Sequence, residues 1–413
     1  MKRNIHLIIV ALGIQSLQSS IVFLTLAWFF INITHSPLVF SSLMAFRYIP
    51  GILLAAVSGI LIDRFNKISL GLWASVWHLF TLCALFAIGL MEVVPSGFGY
   101  WIYCLVLLFM GVASAILTPL ERTLIPLLTS PEELKSVNSF ITAITQIANL
   151  LGTALAGGLL VIGGFTVAML TSIILILLSV VCYVILRYRA VLKDANNQDT
   201  NRIQTPIKVT FSILKRQKWI FSAITAAVFT NMAFVMIMDV LLPTLYSEIK
   251  VNGSAALGIC FTAIGIGTLL GATITYKIKR MNFEMSIVLY VLSGVVGTIA
   301  GFVVDSTIMS IVLFGVFGLL AAPVTIIFQT ELQQAIPQNI MGSAMGFLTA
   351  GVTLAQPIGV FIAGVFLLKL NGSYVLAISC SVSIIAVVMG WYRINKQKKL
   401  ISQEVMMTKQ TLG

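Results

Sequence analysis

Twelve apolar stretches, each about 20 to 27 residues long and separated by short polar loops, leave this chain of 413 residues little choice of fold. Each stretch is long enough, as a helix, to cross a lipid bilayer. The first six run Ile5 to Ile31, Pro37 to Ile62, Ile68 to Met91, Gly99 to Leu120, Asn138 to Ile162 and Phe165 to Leu186. The second six run Trp219 to Pro243, Ala255 to Tyr276, Met285 to Val304, Ile308 to Phe328, Ser343 to Leu367 and Tyr374 to Tyr392. With 59% of residues apolar and only 9% charged, no soluble domain of this size could hide its hydrophobic surface from water. The expectation is an all-α integral membrane protein of twelve transmembrane helices.

The 25 Lys and Arg residues outnumber the 13 Asp and Glu, for a formal charge of +12. Such a balance could suggest nucleic acid, but the placement of the bases explains them better. All except Arg47, Lys250 and Lys369 lie at the two termini or in alternate loops, and Arg47 is inside a span. By the positive-inside rule both termini face the cytoplasm of a multi-pass cell-membrane protein. Met1-Lys2-Arg3 resembles the start of a signal peptide. The apolar run that follows continues to about Ile31 without a small-residue cleavage site, so it reads as the first span. Cys83, Cys104, Cys182, Cys260 and Cys380 all fall in apolar runs with no two at ligand spacing, which favours buried packing over disulfides or a metal.

The spans divide into two six-helix halves, residues 1–186 and 219–392. Residues 187–218 between them are polar and basic and read as a cytoplasmic linker. Its last third, Ile207 to Lys215, suits a short amphipathic helix on the membrane surface, and 393–413 is a cytoplasmic tail. The halves also repeat. Gly59-x-x-x-Asp63 ends the second span and Gly271-x-x-x-Thr275 the eighth, each followed by bases. Gly152-Thr153-Ala154-Leu155-Ala156-Gly157 in the fifth span recurs as Gly359-Val360-Phe361-Ile362-Ala363-Gly364 in the eleventh. Two pseudo-symmetric parallel halves suit a site at the bilayer midplane between them, with access alternating as the halves rock.

The turn Gly59-Ile60-Leu61-Ile62-Asp63-Arg64-Phe65-Asn66-Lys67 joins the second and third spans. Its glycine permits close helix approach and its bases favour the cytoplasmic side. This loop resembles the signature loop of the major facilitator superfamily. Within that superfamily, Arg47-Tyr48-Ile49-Pro50, Pro119, Pro126, Glu133-Leu134 before Asn138, and Pro337 ahead of Gly342 and Gly346 look like the macrolide-efflux and siderophore-exporter branch. The resemblance implies the major facilitator fold and efflux of a small molecule. It also implies that Gly59, Asp63, Arg64 and Lys67 hold an inward gate between the halves. Two departures limit what carries over: the fourth span lacks the Arg-x-x-x-Gly pattern of drug/proton antiporters, and Thr153 stands where their antiporter motif has Gly-Pro.

Four amides, Gln18, Asn149, Asn231 and Gln356, count to the middle of the first, fifth, seventh and eleventh spans. A buried amide facing lipid is costly, so each should face protein or a water-filled cavity. In the resembled family the first, fourth, seventh and tenth spans line the central cavity, which places Gln18 and Asn231 in a substrate site. Gln15 shares the face of Gln18, and Asp239 shares that of Asn231. The plainer reading of all these amides is hydrogen bonding between helices. Asp239 is the carboxylate of the seventh span, about 12 Å outward of Asn231. Arg47, in the outer half of the second span, is its natural partner, because a charge there is costly unless paired. The pair suggests a proton-coupled link between the halves; a wetted helix end and an Arg bound to carbonyls freed by Pro50 is the competing account. His78 in the third span reads as a core histidine. Phe23, Phe109, Phe229, Phe234, Phe314 and Phe317, with few midplane charges, suit a bulky, mostly apolar ligand or plain helix packing.

No G-x-x-x-x-G-K-[ST] phosphate loop, metal-ligand cluster or Ser/His/Asp set occurs, so neither an enzyme nor a cofactor is expected. The leading expectation is a monomeric secondary exporter of amphipathic small molecules driven by protons. A dedicated exporter of one siderophore or peptide antibiotic, and a non-transporting sensor or assembly partner, are the alternatives.

Overall fold

The computed structural model describes residues 2–54, 61–62, 64–128, 134–191, 218–249, 252–278, 282–335 and 341–411. Every regular element among them is helical. Nine of the described helices are long and apolar enough to cross a membrane, and Pro37–Leu53 and Gly351–Leu367 are shorter apolar helices. One of the nine, within Leu134–Val191, is two spans. Its backbone leaves the helical region at Gly163 (φ −148°) and Gly164 (φ 60°, ψ −153°), a conformation open to glycine and strained for any side chain. The contacts on either side run antiparallel. Ile144 and Asn149 lie beside Gly13 and Ser20 of the first span, whereas Phe165 stacks on Phe29 and Ser179 meets Gln15.

The remaining spans follow the hydropathy closely. The first is Lys2–Thr34, the third Lys67–Leu90, the fourth Phe98–Leu128, the eighth Gly253–Lys277, the ninth Phe283–Phe302, the tenth Thr307–Ala335, the eleventh Met341–Leu367 and the twelfth Gly372–Thr411. The third begins where the Asn66 side chain accepts from the backbone N–H groups of Ile68 and Ser69, both at 3.1 Å, and so caps the helix. The helix of the sixth span runs on to Val191 and that of the seventh starts at Lys218. Residues 192–217, which hold most of the expected linker and its amphipathic segment, lie outside the described residues. In the expected tail, the twelfth helix continues to Thr411.

The glycine repeat picked out in the fifth and eleventh spans makes equivalent contacts. A Cβ on Gly152 would lie 2.7 Å from Leu17 O of the first span, and one on Gly359 would lie 2.8 Å from Met232 O of the seventh. One turn and a half further on, a Cβ on Gly157 would lie 2.8 Å from Ser254 O of the eighth span and one on Gly364 would lie 3.0 Å from Pro37 O of the second. Each glycine therefore does in one half what its counterpart does in the other: first it packs inside its own half, then it reaches across to the opposite one. Helices in lipid gain little from apolar burial against each other and rely on such close backbone contact. Four of the cysteines are buried as expected; Cys83 is exposed, on the outward face of the third span.

Candidate functional site

Among the described residues the halves meet mainly along two seams, the fifth span against the eighth and the second against the eleventh, and the first and second spans also touch the outer part of the seventh. Thr153 and Thr262 hydroxyls are 3.4 Å apart, and Gly157 and Gly258 are close enough that a Cβ on either would lie within 3.2 Å of the other's Cα. Gly253 approaches Trp28, and Ser41 approaches Gly364. Among the described residues these crossings lie between mid-depth and the end of the bundle remote from both termini.

Two helix breaks face each other at that end. The second span stops as a helix at Phe46, turns through Arg47 and Tyr48, and restarts at Ile49–Leu53 with Pro50 in its first turn. Proline has no N–H to donate and disfavours helix in the residue before it, so a break upstream of Pro50 follows from its position. The seventh span, α-helical over Lys218–Val235, widens to a π-helix over Met236–Leu241 before Leu242–Ser247. Pro243 cannot donate to the carbonyl four residues back, that of Asp239, and the turn opens there. The Thr244 hydroxyl donates to Val240 O at 2.7 Å, satisfying a neighbouring carbonyl.

The breaks bring Arg47, Tyr48 and Asp239 together. Arg47 Nη2 lies 3.7 Å from Asp239 Oδ2, and the two side chains are 17% and 9% exposed. Tyr48 sits between them. Its hydroxyl accepts from Arg47 Nη2 at 3.0 Å and donates to Asp239 Oδ2. The guanidinium also lies 5.1 Å from the ring centroid of Phe23, which is itself edge-on to Phe261 of the eighth span. Phe40, Leu43, Met236, Val240 and Val360 form the apolar surround. A carboxylate and a guanidinium taken out of water are each costly, and here each is compensated by the other and by a shared phenol. The arrangement ties the second span of one half to the seventh span of the other through a shared phenol oxygen.

The expected amides are placed less uniformly. Gln15 and Gln18 are buried within the first half: Gln15 Nε2 donates to Ser75 (3.4 Å) and Ser179 (3.0 Å), and Gln18 Nε2 lies 3.4 Å from His78 Nε2. These are hydrogen bonds between the first, third and sixth spans, the plainer of the two readings, and they place His78 in the core. Asn149 accepts from Ser20 at 3.1 Å, again within the half. Asn231 Oδ1 is a buried acceptor without a donor among the described residues. Gln356 is half-buried on the eleventh span, one turn before the glycine that packs on Met232. Phe314 and Phe317 are core residues, whereas Phe109, Phe229 and Phe234 are 40%, 44% and 48% exposed. Of the residues expected to form a gate, Gly59 and Asp63 lie outside the described residues, Arg64 is exposed and Lys67 is half-buried at the start of its helix. Tyr48 is the participant that reading by charge misses. Its signal lay in its position beside Arg47 and two residues before Pro50.

Comparison with known proteins places these features in a wider group. The sequence profile of the Major Facilitator Superfamily matches residues 8–356. The uncharacterized MFS-type transporter YfiS of Bacillus subtilis (strain 168) is 24% identical over 349 residues, which is 83% of this chain and 81% of that protein. Two solved structures share the fold at a TM-score of 0.70. One is a variant of the nucleoside transporter NupG, 14% identical with 94% of this chain and 99% of that one covered. The other is a bacterial homologue of the iron transporter ferroportin in an inward-facing state, 17% identical with 96% and 98% covered.

Proposed function

Since this chain belongs to the major facilitator superfamily, we propose that it is a secondary exporter of amphipathic small molecules, such as macrolide-like antibiotics, driven by inward movement of protons. The observation that carries this reading is the buried Arg47–Tyr48–Asp239 cluster between the halves. An acid held across a seam that must part during alternating access ties proton binding to that parting. The scarcity of charge at mid-depth supports an apolar cargo over sugar phosphates or nucleotides, with Asn231 and its free acceptor, together with Gln356, as orienting groups. Gln15, Gln18 and Asn149 would support that wall from behind. The protein would act as a monomer in the cell membrane with both termini in the cytoplasm, so that the closed seams face outward. Gly59, Asp63, Arg64 and Lys67 would serve the opposite, inner gate.

The test is energised accumulation of a panel of amphipathic antibiotics and dyes in cells making the protein or its Asp239→Asn variant, with and without a protonophore. Lower accumulation that the protonophore abolishes, and that Asp239→Asn loses, is expected. An unchanged panel would remove the broad exporter and leave a dedicated exporter of one natural product or a non-transporting role, whereas export that survives the protonophore would remove proton coupling.

A further inference from the structure

We propose that the Tyr48 hydroxyl, more than direct attraction between Arg47 and Asp239, is the joint that fastens the two halves and senses whether Asp239 carries a proton. The inference rests on the reading of Asp239 as the proton site. Guanidinium and carboxylate stand 3.7 Å apart, beyond hydrogen-bond length, yet both touch the same phenol oxygen. That oxygen has one proton to give and gives it to Asp239, while a lone pair receives Arg47 Nη2. Each bond fixes the direction of the other, so the three groups act as one connector.

Protonation of Asp239 changes both bonds. It turns a charge-assisted bond from Tyr48 into a neutral one, roughly half as strong, and removes the charge that attracts Arg47. Arg47 need not follow Asp239 when the seam parts. Its guanidinium lies over the faces of Phe23 at 5.1 Å and Tyr48 at 5.0 Å, both of the first half, and these hold a cation without a carboxylate. The joint therefore divides cleanly, with Arg47 and Tyr48 on one side and Asp239 on the other. Few other groups can interfere. Among the elements packed on the π-helix, the eleventh span (Met341–Leu367) has no ionisable residue. Within the membrane the twelfth has only Tyr374, Cys380 and Tyr392. On the seventh span itself the Tyr246 hydroxyl is engaged by Ser310 at 3.1 Å.

The experiment reads the seam directly and needs no substrate. Spin labels at Ile162→Cys and Ile308→Cys, each 80% exposed at the ends of the fifth and tenth spans, report the distance between halves in full-length protein in lipid nanodiscs, with Cys83→Ser removing the exposed thiol. The unmodified joint should give a short distance at pH 8 that lengthens toward pH 5. Tyr48→Phe keeps the ring and deletes the hydroxyl; it should populate the long distance already at pH 8 and move the transition to higher pH by about one unit. Asp239→Asn, the same shape without the charge, should be long at both pH values. Tyr48→Phe that matches the parent at every pH overturns the joint. A parent that ignores pH overturns the proton site and with it the sensing role, and the fastening role then stands or falls on whether Tyr48→Phe lengthens the distance at pH 8.

Discussion

Removing Arg47 leaves a carboxylate buried opposite nothing but a phenol. Breaking a buried pair in this way costs about 3–5 kcal/mol, far more than an exposed pair is worth. Arg47→Gln is therefore expected to lower the thermal unfolding midpoint in detergent strongly at pH 8, and less at pH 5, where a proton can neutralise the orphaned acid. Equal losses at the two pH values would mean that the guanidinium matters for packing over Phe23 and not for charge. At this scale Arg47 and Asp239 were legible before any coordinates, because a lone charge in an apolar run must find a partner and each run offered one. Tyr48 was not. A phenol is unremarkable in a span, and its role depends on a helix break whose direction the residue types do not specify. Gln15 and Gln18 show a related limit: helical spacing says that two residues share a face, while only the packing decides that this face meets Ser75, His78 and Ser179.

At the scale of the element, two prolines position the cluster. Pro50 and Pro243 each follow a break by a few residues, and the breaks bring the second and seventh spans together where uninterrupted helices would present other residues. A π-helical turn holds roughly one residue more than an α-helical one, so returning Met236–Leu241 to α-helix would turn Asp239 by about 100° relative to the residues beyond it. Pro243→Ala should do this in part. The expected result is a fold as stable as before or more so, with the seam distance long and no longer responsive to pH. A stable variant that keeps its pH response would show that packing against the eleventh span, and not the proline, sets the π turn. Pro243 is visible in the sequence as the end of a span, yet its consequence one turn upstream is not, since an interior proline can kink, widen or terminate a helix with similar local cost.

For the whole molecule, the repeat was the most informative feature of the chain. The two hexapeptides from Gly152 and from Gly359 make paired contacts within and between halves, so a pattern noticed as spacing is a pair of seams related by pseudo-symmetry. What spacing could not supply is which end of the bundle the seams close, because that is a property of one conformation and both conformations share the sequence. Gly258→Leu tests the seam itself. A side chain there would meet Thr153 O at 2.6 Å and the Cα of Gly157 at 3.1 Å, both backbone atoms that cannot yield. The fifth and eighth spans should separate at this end, giving a long spin-label distance at every pH with the helical content unchanged. A short distance retained in that variant would mean that the contacts of the second span with the seventh and eleventh close the molecule without the fifth and eighth.

The cluster also has an electrical consequence. With its carboxylate ionised, the Arg47–Asp239 pair is neutral; with a proton added, it is a single positive charge within the membrane dielectric. Moving one charge through the full drop of a 100 mV potential is worth about 2.3 kcal/mol, and a site nearer one face of the membrane than the other would feel the drop unevenly on its two sides. In the proposed cycle, a proton arriving from the nearer face crosses little of the field, and the same proton departing by the far side crosses most of it. Voltage would then act mainly on the half of the cycle in which the seam is closed, which makes the closed bundle the voltage-dependent state and the open one nearly indifferent.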